Sequence, residues 1–296
     1  MEIKTNSIKE AWPIVLKRIM EHGQHVKIKV DGKEVNTVEA REPIMVTVKT
    51  PLVDMVPVGS LWPSEAALEQ YANDVIENRA TGHDYTYGER LRAFPTLEET
   101  DEYLDDVEYD QINYICETLV RDRNNRQAIA STWKIQTDEM GGHPPCLLIV
   151  DCVIRDDKLN MVLYIRSNDM FGAWPENMYL FARLNIYMVN KINSLYRKKP
   201  NLYRSGNEYI DQVLNKYNDI LTDISNVFKS IFGCKIDEVK LPKDIEVGSI
   251  TAISSKAHIY ENDIVTACRI IGDVNLAQNW FSEMGLLNIN KNVRIA

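Results

Sequence analysis

The feature that most constrains the fold is a pair of apolar segments on either side of three polar residues. The first segment is CLLIVDCVI (146–154), the second is KLNMVLYIR (158–166), and Arg155-Asp156-Asp157 lie between them. Apolar runs of this length around a short polar turn are typical of a β-hairpin. We therefore predict two neighbouring antiparallel strands joined by a tight turn.

Helical and extended patterns alternate along the rest of the chain. The spacing of apolar residues predicts helices over 7–22, from Ser64 onward, over 110–120, 177–195, 260–272 and 275–284, and a helical block to roughly 232. Further strands are predicted at 25–37 (turning at Asp31-Gly32), 44–50, 127–133 and 245–255. The pattern indicates an α+β fold with a mostly antiparallel or mixed sheet, as one domain over 1–296 with an insertion at about 197–247. Residues 79–95 show neither period, which makes them an irregular candidate site.

Charge and composition exclude several classes of function. The chain has 34 Lys and Arg against 43 Asp and Glu, a net charge of −9, so an extended nucleic-acid surface is not expected. Any phosphate must be held by a few placed arginines. No apolar run approaches the roughly 20 residues of a membrane span, and the N-terminus lacks a signal-peptide core. The five cysteines show no CxxC spacing, so we expect neither disulfides nor a metal site, and a cytoplasmic protein (host cytoplasm if phage-encoded).

Cys146 is the candidate nucleophile. It follows two prolines in HPPC and begins a predicted strand, although a cysteine in that position is more often a core residue. Arg166 ends the partner strand, so its guanidinium can lie close to the thiol, lower the thiol pKa and favour the thiolate. Arg166 and Ser167 together suit a phosphate, as a bidentate donor beside a hydroxyl.

These residues together resemble the thymidylate synthase family. The family pattern is a nucleophilic Cys after Pro, then R-S-x-D-x-F and P-x-N, and the chain has PPC, RSNDMF (166–171), Pro175 and Asn177. Three more segments follow the family in the same order: YTYG (85–88), RNNRQAIASTW (123–133) and AHIYEND (257–263). The resemblance covers roughly residues 80–270, less the insertion. It implies a thymidylate synthase-like fold in which one sheet face forms a homodimer interface.

The resemblance also implies a role for each matching residue. The nucleotide-binding set would be Arg41, Arg166 and Ser167 at the 5′-phosphate with Arg126 from the other subunit, Asn177 at O4 and N3 of the base, and His258 and Tyr260 at the sugar hydroxyl. Cys146 would add to C6 of the pyrimidine, Tyr87 would help to remove the C5 proton, and Asp169 would contact the pterin of the co-substrate 5,10-methylenetetrahydrofolate.

The amide of Asn177 can donate to a carbonyl and accept from an imide N–H, which suits uracil, whereas an aspartate would suit cytosine. The expected substrate is therefore dUMP, with (d)CMP as an alternative because Glu176 could accept from an amino group.

Several family features are missing. The RTGTG-type arginine loop is absent, which leaves Arg41 as its candidate substitute. SLW (60–62) keeps only the tryptophan of the Glu-Leu-Leu-Trp block, and neither Asp54 nor Glu65 clearly replaces the glutamate. The tail NINKNVRIA also differs from the family's. With these departures the chain resembles a divergent branch, nearer to archaeal-type synthases and deoxypyrimidine nucleotide hydroxymethylases. The departures favour a site that admits water during the reaction, so that the product is 5-hydroxymethyl-dUMP. Synthesis of dTMP is the alternative.

Two other classes of function stay open. A cysteine hydrolase would need a histidine base for Cys146, for which His83, His143 and His258 are the candidates. A non-catalytic nucleotide-binding paralogue would keep the phosphate and base contacts without turnover, because the glutamate is missing.

Overall fold

The structure is a computed structural model that describes residues 1–30, 32–57, 59, 64–79, 86–99, 104–140, 144–198 and 243–286. Its strands are β1 (Glu2–Thr5), β2 (Gln24–Val30), β3 (Lys33–Glu39), β4 (Ile44–Val48), β5 (Phe94–Glu99), β6 (Leu104–Tyr109), β7 (Ile129–Ser131), β8 (Leu147–Arg155), β9 (Lys158–Ile165), β10 (Asn168–Asp169), β11 (Glu246–Ser254) and β12 (Ala257–Tyr260). Its helices are α1 (Ile8–His22), α2 (Glu65–Ile76), α3 (Tyr87–Arg92), α4 (Gln111–Arg121), α5 (Ile135–Asp138), α6 (Ala173–Lys198), α7 (Ile264–Ile271) and α8 (Asn275–Glu283), with a 3-10 turn at Glu261–Asp263.

The predicted hairpin forms β8 and β9. Asp156 and Asp157 both have positive φ angles, 51° and 57°, as a two-residue hairpin turn that matches the twist of its strands requires. The hairpin lies inside a six-stranded sheet of order β1-β4-β11-β9-β8-β7, in which parallel and antiparallel pairs are mixed. A four-stranded sheet of order β10-β12-β3-β2 and the pair β5–β6 complete the described strands. The prediction of an α+β fold with a mixed sheet is confirmed.

Side-chain caps begin the helices where the sequence predicts them. Ser7 Oγ accepts from the backbone N–H of Glu10 at 3.1 Å, and Ser64 Oγ accepts from Ala67 N–H at 3.2 Å. Asp110 does the same for Asn113 at 2.8 Å. These contacts satisfy backbone donors that have no partner within the helix, and they fix the starts of α1, α2 and α4.

The start of helix α6 and the segment predicted to be irregular both differ from the prediction. Helix α6 begins at Ala173, four residues before the predicted start at 177, because Pro175 is tolerated in a first helical turn. Part of the segment predicted to be irregular is regular: α3 begins after the cap Thr86, and β5 follows it. Gly88 misled the prediction, since it serves close packing rather than a turn. A Cβ on Gly88 would lie 2.6 Å from the carbonyl oxygen of Val75 in α2.

The two faces of the six-stranded sheet differ in burial. One face carries side chains with almost no exposure, such as Val150, Leu163 and Ala252, and packs against α6. The other face carries half-buried or exposed residues in register across the strands: Ile253 of β11 lies opposite Tyr164 of β9, which lies opposite Ile149 of β8. Tyr164 is 39% exposed. This second face thus leaves apolar side chains partly exposed, beside polar ones such as Asp151 and Thr251.

Most of the predicted insertion lies outside the described residues. The same is true of the helical block to 232, of the turn residue Asp31, and of residues 80–85, which include Tyr85 and His83 of the predicted irregular segment.

Candidate active site

Cys146 lies at the entrance to β8, directly opposite Arg166. The backbone N–H of Arg166 donates to the Cys146 carbonyl oxygen at 2.8 Å, and the Cys146 side chain is half-buried. The hairpin brings these two residues together because the end of β9 lies beside the start of β8. The predicted proximity of the thiol and the arginine is confirmed.

The Arg166 guanidinium is fixed by the two prolines before the cysteine. Its Nε donates to the Pro145 carbonyl at 2.9 Å and its Nη2 to the Pro144 carbonyl at 2.6 Å. It also stands over the ring of Trp133, 5.8 Å from the ring centroid. Arginine has five N–H donors, so three remain for an anion once these two bonds, made within the described part of the chain, are counted.

The pKa of the Cys146 thiol is raised, because burial penalises the thiolate by more than the Arg166 cation lowers the pKa. The expected effect of Arg166 is present, but the expectation of a net lowered pKa is wrong. The thiol of this structure is therefore protonated at neutral pH, and reaction requires that its proton be removed.

Tyr87 lies beside the nucleophile. The N–H of Leu147, the residue after Cys146, donates to the Tyr87 hydroxyl oxygen at 3.4 Å. The Tyr87 ring packs against Phe181 of α6, with ring centroids 6.3 Å apart. Helix α3 thus places the Tyr87 phenol against the residue that follows Cys146, and the resemblance implies a tyrosine near the nucleophile.

The second sheet brings Asp169 and Tyr260 to the same place. Asp169 of β10 lies opposite His258 of β12, and Asp169 Oδ1 accepts the N–H groups of Phe171 and Gly172 at 3.0 and 3.1 Å. The pKa of Tyr260 is raised by burial, by Asp169 and by Cys146. The phenol of Tyr260 therefore lies within electrostatic range of both the carboxylate and the thiol.

His258 presents a buried nitrogen that has no partner in the described ranges. It is 5% exposed, its Nδ1 lies 3.2 Å from the Lys256 carbonyl, and its ring meets Tyr260 edge-on at 4.9 Å. The carbonyl can only accept, so Nδ1 carries a proton, and in the neutral imidazole Nε2 is then an acceptor. Nε2 is buried without a hydrogen bond within those ranges, and it fits a ligand hydroxyl that donates.

Asn177 lies in the second turn of α6 and is 8% exposed. The Tyr71 hydroxyl of α2 donates to its Oδ1 at 3.2 Å. Ser167 is half-buried between Arg166 and β10. Arg41 is exposed after β3; the preceding residue, Ala40, donates its N–H to the Ala257 carbonyl next to His258 at 2.8 Å.

Some predicted residues are not brought to the thiol. Arg126 is exposed in the loop before β7. Asp54 is exposed and faces Lys9 at 3.8 Å, and Glu65 is exposed at the start of α2. His83, His143, SLW (60–62) and the C-terminal tail lie outside the described residues.

Three residues near the site were missed from the sequence. Tyr71 contacts Asn177, Trp133 packs on Arg166, and Asp263 has a pKa raised by burial and by Asp169. Trp133 lies in a segment that carries the resemblance, so its aromatic ring beside an arginine could have been noticed. Asp263 likewise ends the segment AHIYEND (257–263), which carries the resemblance. Tyr71 gave no local signal, since its contact depends on tertiary structure.

A buried ion pair supports Trp133. Arg90 Nη2 of α3 donates to Asp138 Oδ1 at 2.8 Å, and Asp138 Oδ2 accepts the Lys134 N–H at 2.7 Å. The Arg90 and Asp138 side chains are 10% and 5% exposed. The pair joins the helix that carries Tyr87 to the turn that carries Trp133.

No three His, Cys, Asp or Glu side chains among the described residues are grouped so that they could hold a metal ion. Within the same ranges, every helix is too short or too polar to cross a membrane.

Replacing Arg166 with alanine should raise the pKa of Cys146 further, because the cation that partly offsets desolvation is lost. Alkylation of Cys146 by iodoacetamide over a pH series, quantified by peptide mass spectrometry, measures this pKa. The exposed Arg155 supplies the matched control Arg155→Ala, which should leave the profile unchanged. A Cys146 pKa below the ordinary value of about 8.5, or one that does not change in Arg166→Ala, would contradict this assignment.

Replacing Asp138 with alanine should lower the free energy of unfolding by about 3–5 kcal/mol, because Arg90 would be left buried without its carboxylate. Denaturant unfolding measures the loss. The adjacent exposed residue gives the control Glu139→Gln, expected to change stability by about 0.5 kcal/mol or less. Equal stabilities for the two variants would show that the ion pair does not support this segment.

Comparison with known proteins places the chain in a family. The model of the thymidylate synthase family matches residues 61–205. A protein of Methanosarcina barkeri named "Putative thymidylate synthase" is 31% identical over 193 residues, which are 65% of this chain and 82% of that protein. Proteins of the same name from Methanococcoides burtonii and Methanocaldococcus jannaschii are 32% and 29% identical, over 64% and 71% of this chain and 81% and 91% of their own lengths. The chain therefore belongs to the thymidylate synthase family, in a divergent branch, and is a one-carbon transferase of a family that binds a pyrimidine nucleotide and uses methylenetetrahydrofolate.

Proposed function

We propose that this protein transfers a one-carbon unit from 5,10-methylenetetrahydrofolate to C5 of dUMP and releases 5-hydroxymethyl-dUMP. The observation that carries the proposal is the convergence of four groups: the Cys146 thiol, the Arg166 guanidinium, the Tyr87 hydroxyl and the Tyr260 phenol. This chemistry needs a nucleophile, a group that binds an anion, and polar groups that can exchange a proton or hydrogen-bond to a hydroxyl.

The nucleotide would be held at three points. Arg166 has N–H donors left for the 5′-phosphate, and the hydroxyl of the next residue, Ser167, would add another. Arg41, which follows β3, would also contact the phosphate. His258 Nε2 would accept from the sugar hydroxyl, with Tyr260 beside it. Asn177 would contact O4 and N3 of the base.

Cys146 supplies the covalent step. C5 of a pyrimidine is a poor nucleophile; when the sulfur bonds to C6, C5 becomes an enamine carbon that can form a bond to a one-carbon unit. The C5 proton must then leave, and the Tyr87 hydroxyl is placed next to the nucleophile to help to remove it. The C6–S bond finally breaks and returns the thiolate.

The folate supplies the one-carbon unit, and Asp169 suits its pterin. Oδ1 of Asp169 is held by two backbone N–H groups, which leaves Oδ2 as an acceptor in a fixed position. Pterin N–H groups are donors, so the carboxylate and the ring are complementary.

Addition of water, rather than of hydride, to the transferred carbon distinguishes the proposed product from dTMP. After the C5 proton leaves, the bond between the folate nitrogen and the transferred carbon breaks, which releases tetrahydrofolate and leaves an exocyclic methylene on the pyrimidine. Water that adds to this methylene gives a hydroxymethyl group, whereas hydride transferred from the tetrahydrofolate gives a methyl group and dihydrofolate. The family's glutamate is missing from the sequence, and Asp54 and Glu65 are both exposed, which supports a site with altered control of water. The second candidate is dTMP synthesis, which the names of the archaeal relatives favour.

A homodimer would complete the phosphate site. The sheet face with Ile149, Tyr164 and Ile253 offers partly exposed apolar side chains for contact with a second copy, and the neighbouring edge strand β7 follows the loop that carries Arg126. Arg126 is exposed, as a residue lent to a partner must be in a single chain. We also propose one catalytic domain over 1–296, with the insertion at about 197–247, working in the cytoplasm, where the free thiols of Cys116, Cys146, Cys152 and Cys268 stay reduced.

Incubation of the protein with dUMP and 5,10-methylenetetrahydrofolate should give a product with the mass of 5-hydroxymethyl-dUMP and no rise in dihydrofolate absorbance. The variant Cys146→Ala should bind dUMP with no turnover. A methylated product with dihydrofolate would replace the proposal by the second candidate. Nucleotide binding without release of the C5 proton would select a non-catalytic paralogue, and full turnover by Cys146→Ala would exclude covalent catalysis by this residue.

Mixing two inactive variants tests the shared phosphate site. Arg126→Ala and Cys146→Ala should each be impaired alone, and their mixture should regain activity, because the heterodimer has one site with both its own Cys146 and Arg126 of the partner subunit. If Arg126 acts within its own chain, no heterodimer has a complete site and mixing restores nothing. The variant Arg155→Ala, at an exposed arginine, serves as the control and should be fully active without mixing.

A further inference from the structure

We propose that Tyr71 sets the preference for uracil over cytosine by orienting the side-chain amide of Asn177. The inference rests on the proposed function, in which Asn177 contacts the base. It assigns a specificity-determining role to a residue of α2, a helix that supplies none of the nucleotide contacts proposed above.

Tyr71 contacts the side-chain amide of Asn177 directly. Its hydroxyl donates to Asn177 Oδ1 at 3.2 Å, and Asn177 is 8% exposed. Asn177 and Phe181 are one helical turn apart on α6 and so share a face. Phe181 packs against Tyr87, whose hydroxyl accepts from Leu147 N–H next to the thiol. The face of α6 that carries the amide is therefore the one turned towards the nucleophile.

Helix α2 is held close to this region by backbone packing. Tyr71 lies one turn before Val75, whose carbonyl oxygen would be 2.6 Å from a Cβ on Gly88, the residue after Tyr87. Tyr71 thus lies one turn from a close α2–α3 contact, so helix packing positions the backbone that carries its phenol.

The two bases require opposite orientations of the amide. Uracil presents an N3–H donor and an O4 acceptor, whereas cytosine presents an N3 acceptor and an N4 amino donor. An amide that pairs with one of these edges must rotate by half a turn to pair with the other. By donating to Oδ1, the Tyr71 hydroxyl favours one of the two orientations of the Asn177 amide. In that orientation the side-chain nitrogen can donate to O4 of uracil.

The size of the effect follows from the length of the bond. A hydroxyl can also accept, so a rotated amide keeps a weaker contact with Tyr71. At 3.2 Å the bond is longer than the usual O–H···O distance, so it biases the amide rather than locks it. A bias of this kind corresponds to a discrimination of up to about tenfold.

A second tyrosine contact across the same pair of helices separates specificity from stability. The Tyr179 hydroxyl of α6 donates to Glu69 of α2 at 2.8 Å, and Arg183 also pairs with Glu69. These contacts join α2 to α6 without touching Asn177. The variants Tyr71→Phe and Tyr179→Phe each remove one hydroxyl from one interface and keep the ring.

The experiment compares kcat/KM for dUMP and dCMP, and Kd for both nucleotides by titration calorimetry without folate, in the unaltered protein and the two variants. Tyr71→Phe should lower the dUMP-to-dCMP preference by up to about tenfold, chiefly by improved use of dCMP, while Tyr179→Phe leaves the preference unchanged. An unchanged preference in Tyr71→Phe, or an equal fall in both variants, overturns the inference.

The two proposals fail in different ways. An unaltered protein that turns over neither nucleotide overturns the proposed function, and the Kd ratio in Tyr71→Phe still decides the role of Tyr71. Turnover of dUMP with a preference that does not depend on Tyr71 leaves the proposed function standing and removes the inference. A preference of the unaltered protein for dCMP contradicts the amide orientation itself.

Discussion

The contact between the end of β9 and the start of β8 is the constraint on which the site depends. Arg166 is joined to the Cys146 segment by its backbone N–H and by two guanidinium bonds to proline carbonyls. Proline has a fixed φ angle and no backbone N–H. The Pro144-Pro145 segment therefore has a restricted backbone whose carbonyl groups can accept from the arginine, while neither proline adds a backbone donor of its own. One guanidinium therefore positions the nucleophile and keeps donors for an anion.

Burial and charge act in opposite directions on the thiol, and burial prevails. A half-buried, protonated Cys146 is a weak nucleophile, which limits side reactions of the sulfur until its proton is taken. The raised pKa of Tyr260, to which burial, Asp169 and Cys146 all contribute, keeps that phenol protonated and able to donate at neutral pH. The thiol and the Tyr260 phenol are thus both protonated near the Arg166 cation, which suits an anionic nucleotide within a chain of net charge −9.

The sequence predicted the parts of the structure that rest on local chemistry. The β8–β9 hairpin, the helix starts near Ser7 and Ser64, and the proximity of Cys146 to Arg166 follow from turn residues, apolar spacing and strand pairing. Tyr71 could not be predicted, because its contact depends on how α2 packs against α6. The net pKa direction of Cys146 was also out of reach, since the cost of burial is a property of tertiary structure. Gly88 shows the same limit: in sequence it resembles a loop residue, and in the fold it permits close packing of two helices.

Formation of a bond between the Cys146 sulfur and C6 of a pyrimidine is the central claim. In 5-fluoro-dUMP the C5 hydrogen is replaced by fluorine, so the proton loss that completes the reaction is blocked and a covalent adduct should accumulate. Intact-protein mass spectrometry after incubation with 5-fluoro-dUMP and 5,10-methylenetetrahydrofolate, followed by peptide mapping, measures that bond directly. The account predicts a stoichiometric adduct on the peptide that contains Cys146; an unmodified protein, or an adduct on another cysteine while dUMP is turned over, would contradict it.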